Sequence, residues 1–273
     1  MKLLYIITAI LFLFAGNACQ KEILAVNNQG VKFDHLLKTV TKISPTHEIT
    51  TEYTYNSSNQ VAEIKTTDIT SASGTETFTE TYFRNTTGRL DSVLFIGNQS
   101  GVLHYKSSTF FYYDVSGKLV LSKYDFSDVT NPTRKDSSLY TYSGNILQKR
   151  TDYRSFNAGI NYGLLTEATY EFDAAGNVSK AVFDWAISPF TTDTLIFQYD
   201  TKANPIPKAN VFFYWAPIFY NDYKTQNNLL LVAGNNQDEH SSFDYQYAAN
   251  NKPLYRKQTD PGNFIYETYY FYD

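Results

Sequence analysis

The chain has one cysteine, one methionine, two tryptophans and four histidines in 273 residues. A single thiol excludes a disulfide within the chain, so stability has to come from burial and backbone hydrogen bonding. His35, His47, His104 and His240 are scattered, and none has a second His or Cys at metal-ligand spacing. No Gly-x-Ser-x-Gly elbow, no Gly-rich phosphate loop ending in Lys-Ser/Thr and no Asp-rich calcium loop occurs. Carboxylate pairs such as Asp125 and Asp128 carry no spacing that identifies a glycosidase. No enzyme, metal centre or cofactor is expected. Charge of one sign is also scarce: 23 basic residues face 27 acidic ones, spread evenly, which leaves no nucleic-acid footprint.

Aromatic residues are abundant instead, with 24 Tyr and 20 Phe. They recur as pairs at i and i+2 just before a turn: Tyr53/Tyr55, Thr81/Phe83, Phe111/Tyr113, Tyr140/Tyr142, Tyr170/Phe172, Phe197/Tyr199, Tyr245/Tyr247 and Tyr270/Tyr272. In this frame Thr81 alone breaks the aromatic rule. Residues two apart in a strand point to one face, and recurrence at about 30 residues means one supersecondary unit stacked on its copies. The residues between pair members, such as Thr54, Thr141, Glu171, Gln198 and Gln246, are mostly polar. One face is therefore aromatic and the other wetter. Left in water, an aromatic ladder would aggregate, so the sheet is expected to curl with that face inward.

Each pair runs into a turn. Tyr113 leads into Asp114-Val115-Ser116-Gly117-Lys118-Leu119, and Phe172 into Asp173-Ala174-Ala175-Gly176-Asn177-Val178. The carboxylate can accept amides two residues on, and glycine takes the positive φ. Gly88 is expected to serve the Phe83 copy in the same way, with one extra residue before it. The chain stops at Tyr272-Asp273, in mid-signature, where a terminal edge strand is expected. Tyr-Asp-x-x-Gly-Lys/Asn-Leu/Val resembles the YD repeat of the Rhs family. Taken with the segment leading to Cys19, Tyr199-Asp200 through Asn204-Pro205 and Asn227-Asn228 resemble Bacteroidetes lipoprotein domains of unknown function that carry diverged YD-like repeats. That resemblance covers about residues 34–273 and implies an extracytoplasmic all-β repeat protein with no catalytic residues to transfer.

The N-terminus reads as an export signal. Lys2 precedes a mostly apolar run, Leu3 to Phe14, and then Ala15-Gly16-Asn17-Ala18-Cys19. The run is too short for a stable bilayer-spanning helix. Cys19 sits where a bacterial lipoprotein is cleaved and acylated, while Gly16-x-Ala18 also suits an ordinary signal peptidase. The expected organisation is a signal peptide over 1–18, a lipidated Cys19 with a polar tether to 33, and a repeat domain over 34–273. Leu36 to Ile43 alternates as a first strand.

An irregular insert is expected over 204–236, where the repeat is broken by about 20 extra residues. It concentrates Tyr214, Trp215, Phe219 and Tyr220, the candidate ligand-binding residues, since loops in repeat folds tend to carry function. The same rings would equally cap an open sheet end. The repeat itself rests on Tyr55, Phe83, Tyr113, Tyr142, Phe172, Tyr199, Tyr247 and Tyr272 with Gly88, Gly117 and Gly176. Two function classes are consistent with this pattern: a membrane-anchored module binding a glycan, peptide or protein, or a structural and assembly module without a discrete ligand site. Neither involves nucleic acid.

Overall fold

The structure, a computed structural model, describes residues 35–70, 74–128, 134–155, 162–186, 191–206, 226–235 and 240–273. Its first strands are β1 (Leu36–Ser44), β2 (His47–Tyr55), β3 (Val61–Thr70), β4 (Gly74–Arg84), β5 (Leu90–Gln99) and β6 (Val102–Tyr113). They are followed by β7 (Leu119–Asp128), β8 (Arg134–Ser143), β9 (Ile146–Ser155), β10 (Tyr162–Phe172) and β11 (Val178–Trp185). The last five are β12 (Thr192–Ala203), β13 (Asn227–Gly234), β14 (Ser241–Tyr247), β15 (Pro253–Asp260) and β16 (Phe264–Tyr272). Each strand pairs antiparallel with its neighbours in sequence, and β1 pairs β16, so the meander closes into a barrel. The expected curling is thus complete. The final strand is not an edge, because its outer ladder is satisfied by the first.

Register partners in antiparallel strands share a face. The buried residues Tyr53, Ile64, Tyr82, Val93, Phe111, Tyr140, Ala181, Leu195, Phe197 and Tyr270 all fall on one face, which lines the barrel. Seven of the eight pairs therefore point inward, as their parity predicts. They form a belt, continuous from strand to strand, at the end of the barrel where the repeated turns lie. Burying each ring removes about 150–250 Å² from water, which is the principal reason this sheet closes.

The turns repeat in atomic detail. At Asn56, Asn85, Asp114 and Asp173 the side-chain Oδ1 accepts the backbone N–H two and four residues on, at 2.9–3.0 Å. The residue three after each has positive φ: Asn59, Gly88, Gly117 and Gly176. The second ring of each pair then joins neighbouring units. The hydroxyls of Tyr55, Tyr113, Tyr199 and Tyr272 donate to the carbonyls of Leu36, Leu90, Val178 and Pro253 on the strand before, at 2.7–2.9 Å. Arg89, Lys118 and Lys252, each just before a return strand, lie over the rings of Tyr113, Tyr142 and Tyr272 in the next unit, at 5.2–5.8 Å.

Two expectations need correcting. The second copy is framed one residue later than Thr81/Phe83: Tyr82 is 6% exposed, whereas Phe83 is 48% exposed on the outer wall. Tyr82 pairs Val93 and Arg84 pairs Leu90, as Phe111 pairs Ser122 and Tyr113 pairs Leu119. Arg84 takes the second ring's place, and its guanidinium donates to the Val61 carbonyl at 3.4 Å. With Asn85 in the aspartate's position, the supposed extra residue before Gly88 disappears. The insert is also shorter than expected, because Asn227–Gly234 is β13 with Leu229 and Val232 buried against β12. The apolar run Leu229–Val232 supplies the inward residues a strand needs there.

Candidate functional site: the barrel lumen

Beyond the apolar belt, toward the opposite end, the inner wall becomes mixed aromatic and polar. On β4–β6, Phe78, Phe95 and Tyr105 form a near-parallel group, with centroids 5.8–6.5 Å apart and planes within 9–21°. Gly97 makes this possible. A Cβ there would lie 2.2 Å from the Tyr105 ring, which fills the space a side chain would occupy. On β7, Tyr124 and Phe126 stack at 6.2 Å with planes 14° apart.

Next to them, β8 and β9 carry Arg134, Asp136, Arg150, Asp152 and Arg154 on the same inner face, since Phe126 pairs Arg134, Tyr124 pairs Asp136, and Asp136 pairs Arg154. Two arrangements result. Arg150 and Asp152 are fully buried and joined at 2.9 Å (Nη2–Oδ2) and 3.0 Å (Nε–Oδ2). Burial pushes the Asp152 carboxyl up, against the opposing pull of Arg150. Asp136, whose side chain is fully buried, holds Arg134 at 2.6 Å and lies 3.7 Å from Arg154. The side chains of Arg134 and Arg154 are 22% and 31% exposed, whereas that of their shared carboxylate is fully buried.

Acids line the neighbouring part of the wall on β3 and β4. Asp68 bonds His47 Nε2 at 2.9 Å. Glu80 accepts from the Tyr82 hydroxyl at 2.6 Å, and burial raises its carboxyl even though that bond favours the anion. Glu76 shares this face. Among the described residues, no cluster of three His, Cys, Asp or Glu could hold a metal ion.

Tyr214, Trp215, Phe219 and Tyr220, together with Cys19, lie outside the described residues. The neck of the insert is nevertheless pinned firmly. Asp200 accepts from Lys202 N, Asn228 N and the Tyr247 hydroxyl. Asn177, from the turn two strands away, accepts the backbone N–H of Gln226 and Asn227 at 2.6 and 3.2 Å. Lys202 Nζ sits 3.5 Å from the Tyr247 ring centroid.

Sequence reasoning did not single out the arginine cluster or the Phe78–Tyr105 group. The signal was present: counting back by twos from Tyr142 and Tyr140 puts Ser138, Asp136 and Arg134 on the inner face.

Over β14–β3 the outer wall is laced with opposite charges, whereas Phe83, Phe110, Tyr112 and Leu139 are exposed on the outer face of β4, β6 and β8. Asp244, Lys257, Glu267, Lys42 and Glu48 are successive cross-strand partners over β14, β15, β16, β1 and β2. Lys38, Glu52 and Lys65 repeat the pattern over β1–β3. Lys149 pairs with Glu167, and Lys180 with Glu171 at 2.8 Å.

No protein-family model matches the chain, and no curated protein matches it. Among solved structures, a porin-like protein from Bacteroides uniformis is similar with a TM-score of 0.55 and 11% identity, over 87% of this chain and 98% of its own. A porin-like protein from Bacteroides vulgatus gives 0.44 and 12%, over 88% and 98%. The first likeness is one of fold: a closed antiparallel barrel.

Proposed function

We propose that this protein is an exported lipoprotein, held on the outer membrane through acylated Cys19, whose barrel stands in water and binds a ligand in its lumen without catalysing a reaction. The repeat resembling the YD family fits such an extracytoplasmic module. The observation that carries the reading is the charged outer face over β14–β2, unlike a barrel set in lipid, although Phe110, Tyr112 and Leu139 are exposed on the outer face of β6 and β8. A spanning barrel presents an apolar band about 25 Å tall outward, and Lys or Arg at the bilayer midplane costs about 2–4 kcal/mol each. Here the outward ladder Asp244–Lys257–Glu267–Lys42–Glu48 crosses five strands, while the apolar belt is inside. Water on the outer wall makes both features favourable. Membrane association then falls to the lipid, and two or more acyl chains give stable anchoring.

The test is fractionation of the full-length protein and a Cys19→Ala variant. The parent is expected with membranes and the variant in the soluble fraction, folded and monodisperse without detergent. A variant that stays with membranes overturns the lipid anchor, and one that is soluble only in detergent overturns the water-standing barrel.

A further inference from the structure

We infer that the outer face of β6–β8, at the end of the barrel where the repeated turns lie, docks on the headgroup region of an anionic lipid bilayer. This rests on the reading of the protein as a lipid-anchored barrel and gives that barrel one orientation. The face is apolar and exposed. Tyr112, Leu121 and Leu139 are successive cross-strand partners, and the next row inward runs Phe83, Ser92, Phe110 across β4–β6. Phe83, Phe110, Tyr112 and Leu139 are 39–48% exposed. Val115, in the turn between β6 and β7, stands wholly in solvent, and Ile146 at the start of β9 is 58% exposed. Apolar residues exposed singly need no explanation, but a group gathered on one face does.

Lysines border these rows on the side away from the turns. Lys123 is the cross-strand partner of Phe110, and Lys135 lies one row further, opposite Asp125. Lys123 carries its Nζ over the Tyr112 ring at 5.4 Å, and neither lysine is ion-paired among the described residues. The outward positions of β6–β8 hold Lys106, Lys123 and Lys135 against Asp125 alone. The adjoining turns add Arg89 and Lys118 against Asp91 and Asp114, which leaves the positive excess unchanged. Over β14–β3, in contrast, each outward lysine meets a carboxylate across the strand. A lysine whose stem lies along an aromatic ring while its ammonium stays clear suits the boundary between an apolar and a polar phase. Anionic headgroups attract such lysines. A groove of about 420 Å³, lined by Phe110, Tyr112, Leu121, Lys123, Asp125 and Lys135 among others, gives a headgroup room between them.

The anchor enters the barrel at this same end. Leu36 faces Tyr272, and His35 is bonded to Asp273 where the eighth turn would stand. The chain from Cys19 to Asp34 reaches at most about 55 Å when extended, so an acylated Cys19 holds the turn end near the bilayer. A second copy is the other occupant an apolar face could take. A two-fold contact through this face would bring its own lysines together, whereas an anionic bilayer matches them. A patch of this kind binds reversibly and orients the barrel without replacing the acyl chains. Release of the Cys19→Ala variant on fractionation therefore stays the expected result.

The experiment uses the Cys19→Ala chain from the soluble fraction, in which any added cysteine is the only thiol. An environment-sensitive fluorophore is attached at Val115→Cys, at Leu139→Cys or, on the outer face of β2, at Thr50→Cys. Each protein is titrated with vesicles of phosphatidylethanolamine and phosphatidylglycerol that carry a quencher on the lipid. Quenching is expected at Val115 and Leu139 and not at Thr50. Phe110→Ser with Tyr112→Ser should weaken association about fivefold or more while melting like the parent. Lys123→Gln with Lys135→Gln should weaken it on these vesicles and change it little on phosphatidylcholine. Absence of quenching at Val115 and Leu139, or equal quenching at Thr50, overturns the docking face while the anchor stands. An equal loss on both vesicle types in the lysine variant overturns the anionic bilayer as partner. A Leu139 signal that changes with protein concentration, without vesicles, gives the face to a second copy and overturns the inference. A Cys19→Ala chain that never leaves the membrane fraction overturns the anchor, and with it this orientation.

Discussion

Asp273 accepts the backbone N–H of His35 on its side chain at 2.8 Å and donates its own N–H to the His35 carbonyl at 3.2 Å, across 238 positions of sequence. Asp114 and Lys118 make the same reciprocal pair, as do Asp173 and Asn177. Tyr272 accordingly faces Leu36 as Tyr113 faces Leu119. The eighth hairpin is divided between the two ends of the repeat domain, and its turn is replaced by a clasp. The imidazole of His35 adds a third contact, Nδ1 to Asp273 Oδ2 at 3.0 Å.

Asp273→Ala should therefore loosen the seam. The loss of two side-chain hydrogen bonds is worth about 1–2 kcal/mol for partly exposed partners. Hydrogen exchange should accelerate in β1 and β16 more than in β5 and β6. Uniform exchange across all four strands would show that the clasp does not hold the closure.

Gly97→Ala should cost about 1–3 kcal/mol, because the new methyl meets the Tyr105 ring at 2.2 Å and one of them has to move. In the Gly97→Ala/Tyr105→Ala double variant the penalty from Gly97 should largely vanish. A double-mutant cycle by chemical denaturation measures this, and additivity of the two changes would refute the cross-strand explanation.

Glu80→Gln should raise thermal stability at neutral pH. Burial raises the Glu80 carboxyl above its unfolded value. Its protonated form therefore favours the fold, and that stability is full below the unfolded value and lost as pH rises through the folded one. Gln keeps an acceptor for the Tyr82 hydroxyl without the charge. The gain in Tm should be present at pH 7.5 and disappear by pH 4. A gain independent of pH would point to packing instead.

Asp114→Ala should show the opposite pH dependence. Hydrogen bonds from the Ser116 hydroxyl and then the Lys118 amide hold this carboxyl below its ordinary value. Its contribution is present above the unfolded value and is lost as pH falls through the folded one. The deficit in Tm against the parent should be clear at pH 7 and shrink toward pH 2.5. Ala248 shows that the backbone of the turn persists without the carboxylate, since its N–H still donates to the Lys252 carbonyl at 2.9 Å.

Much of the architecture was legible because it is local. An aromatic at i and i+2, an Asp or Asn next, and a residue tolerant of positive φ three further on define a hairpin through contacts within about seven residues. The Thr81/Phe83 frame failed where an arginine replaces the second ring: the aromatic rule reads ring identity, whereas the site requires an inward donor for the preceding strand's carbonyl. Arg84 meets that requirement without a ring. The lumen strip was less legible, since Phe78, Phe95 and Tyr105 come from three strands and converge only through register.

The sequence by itself determined the hairpin unit, its repetition and the inward parity of the rings, because each depends on neighbours along the chain. Only the tertiary structure decided that the sheet closes through His35 and Asp273, that one buried carboxylate serves two arginines, and that opposite charges alternate on the outer face over β14–β3. Those properties depend on strand register and on the meeting of distant ends. A shift of one residue in any ladder would turn the same side chains to the opposite wall.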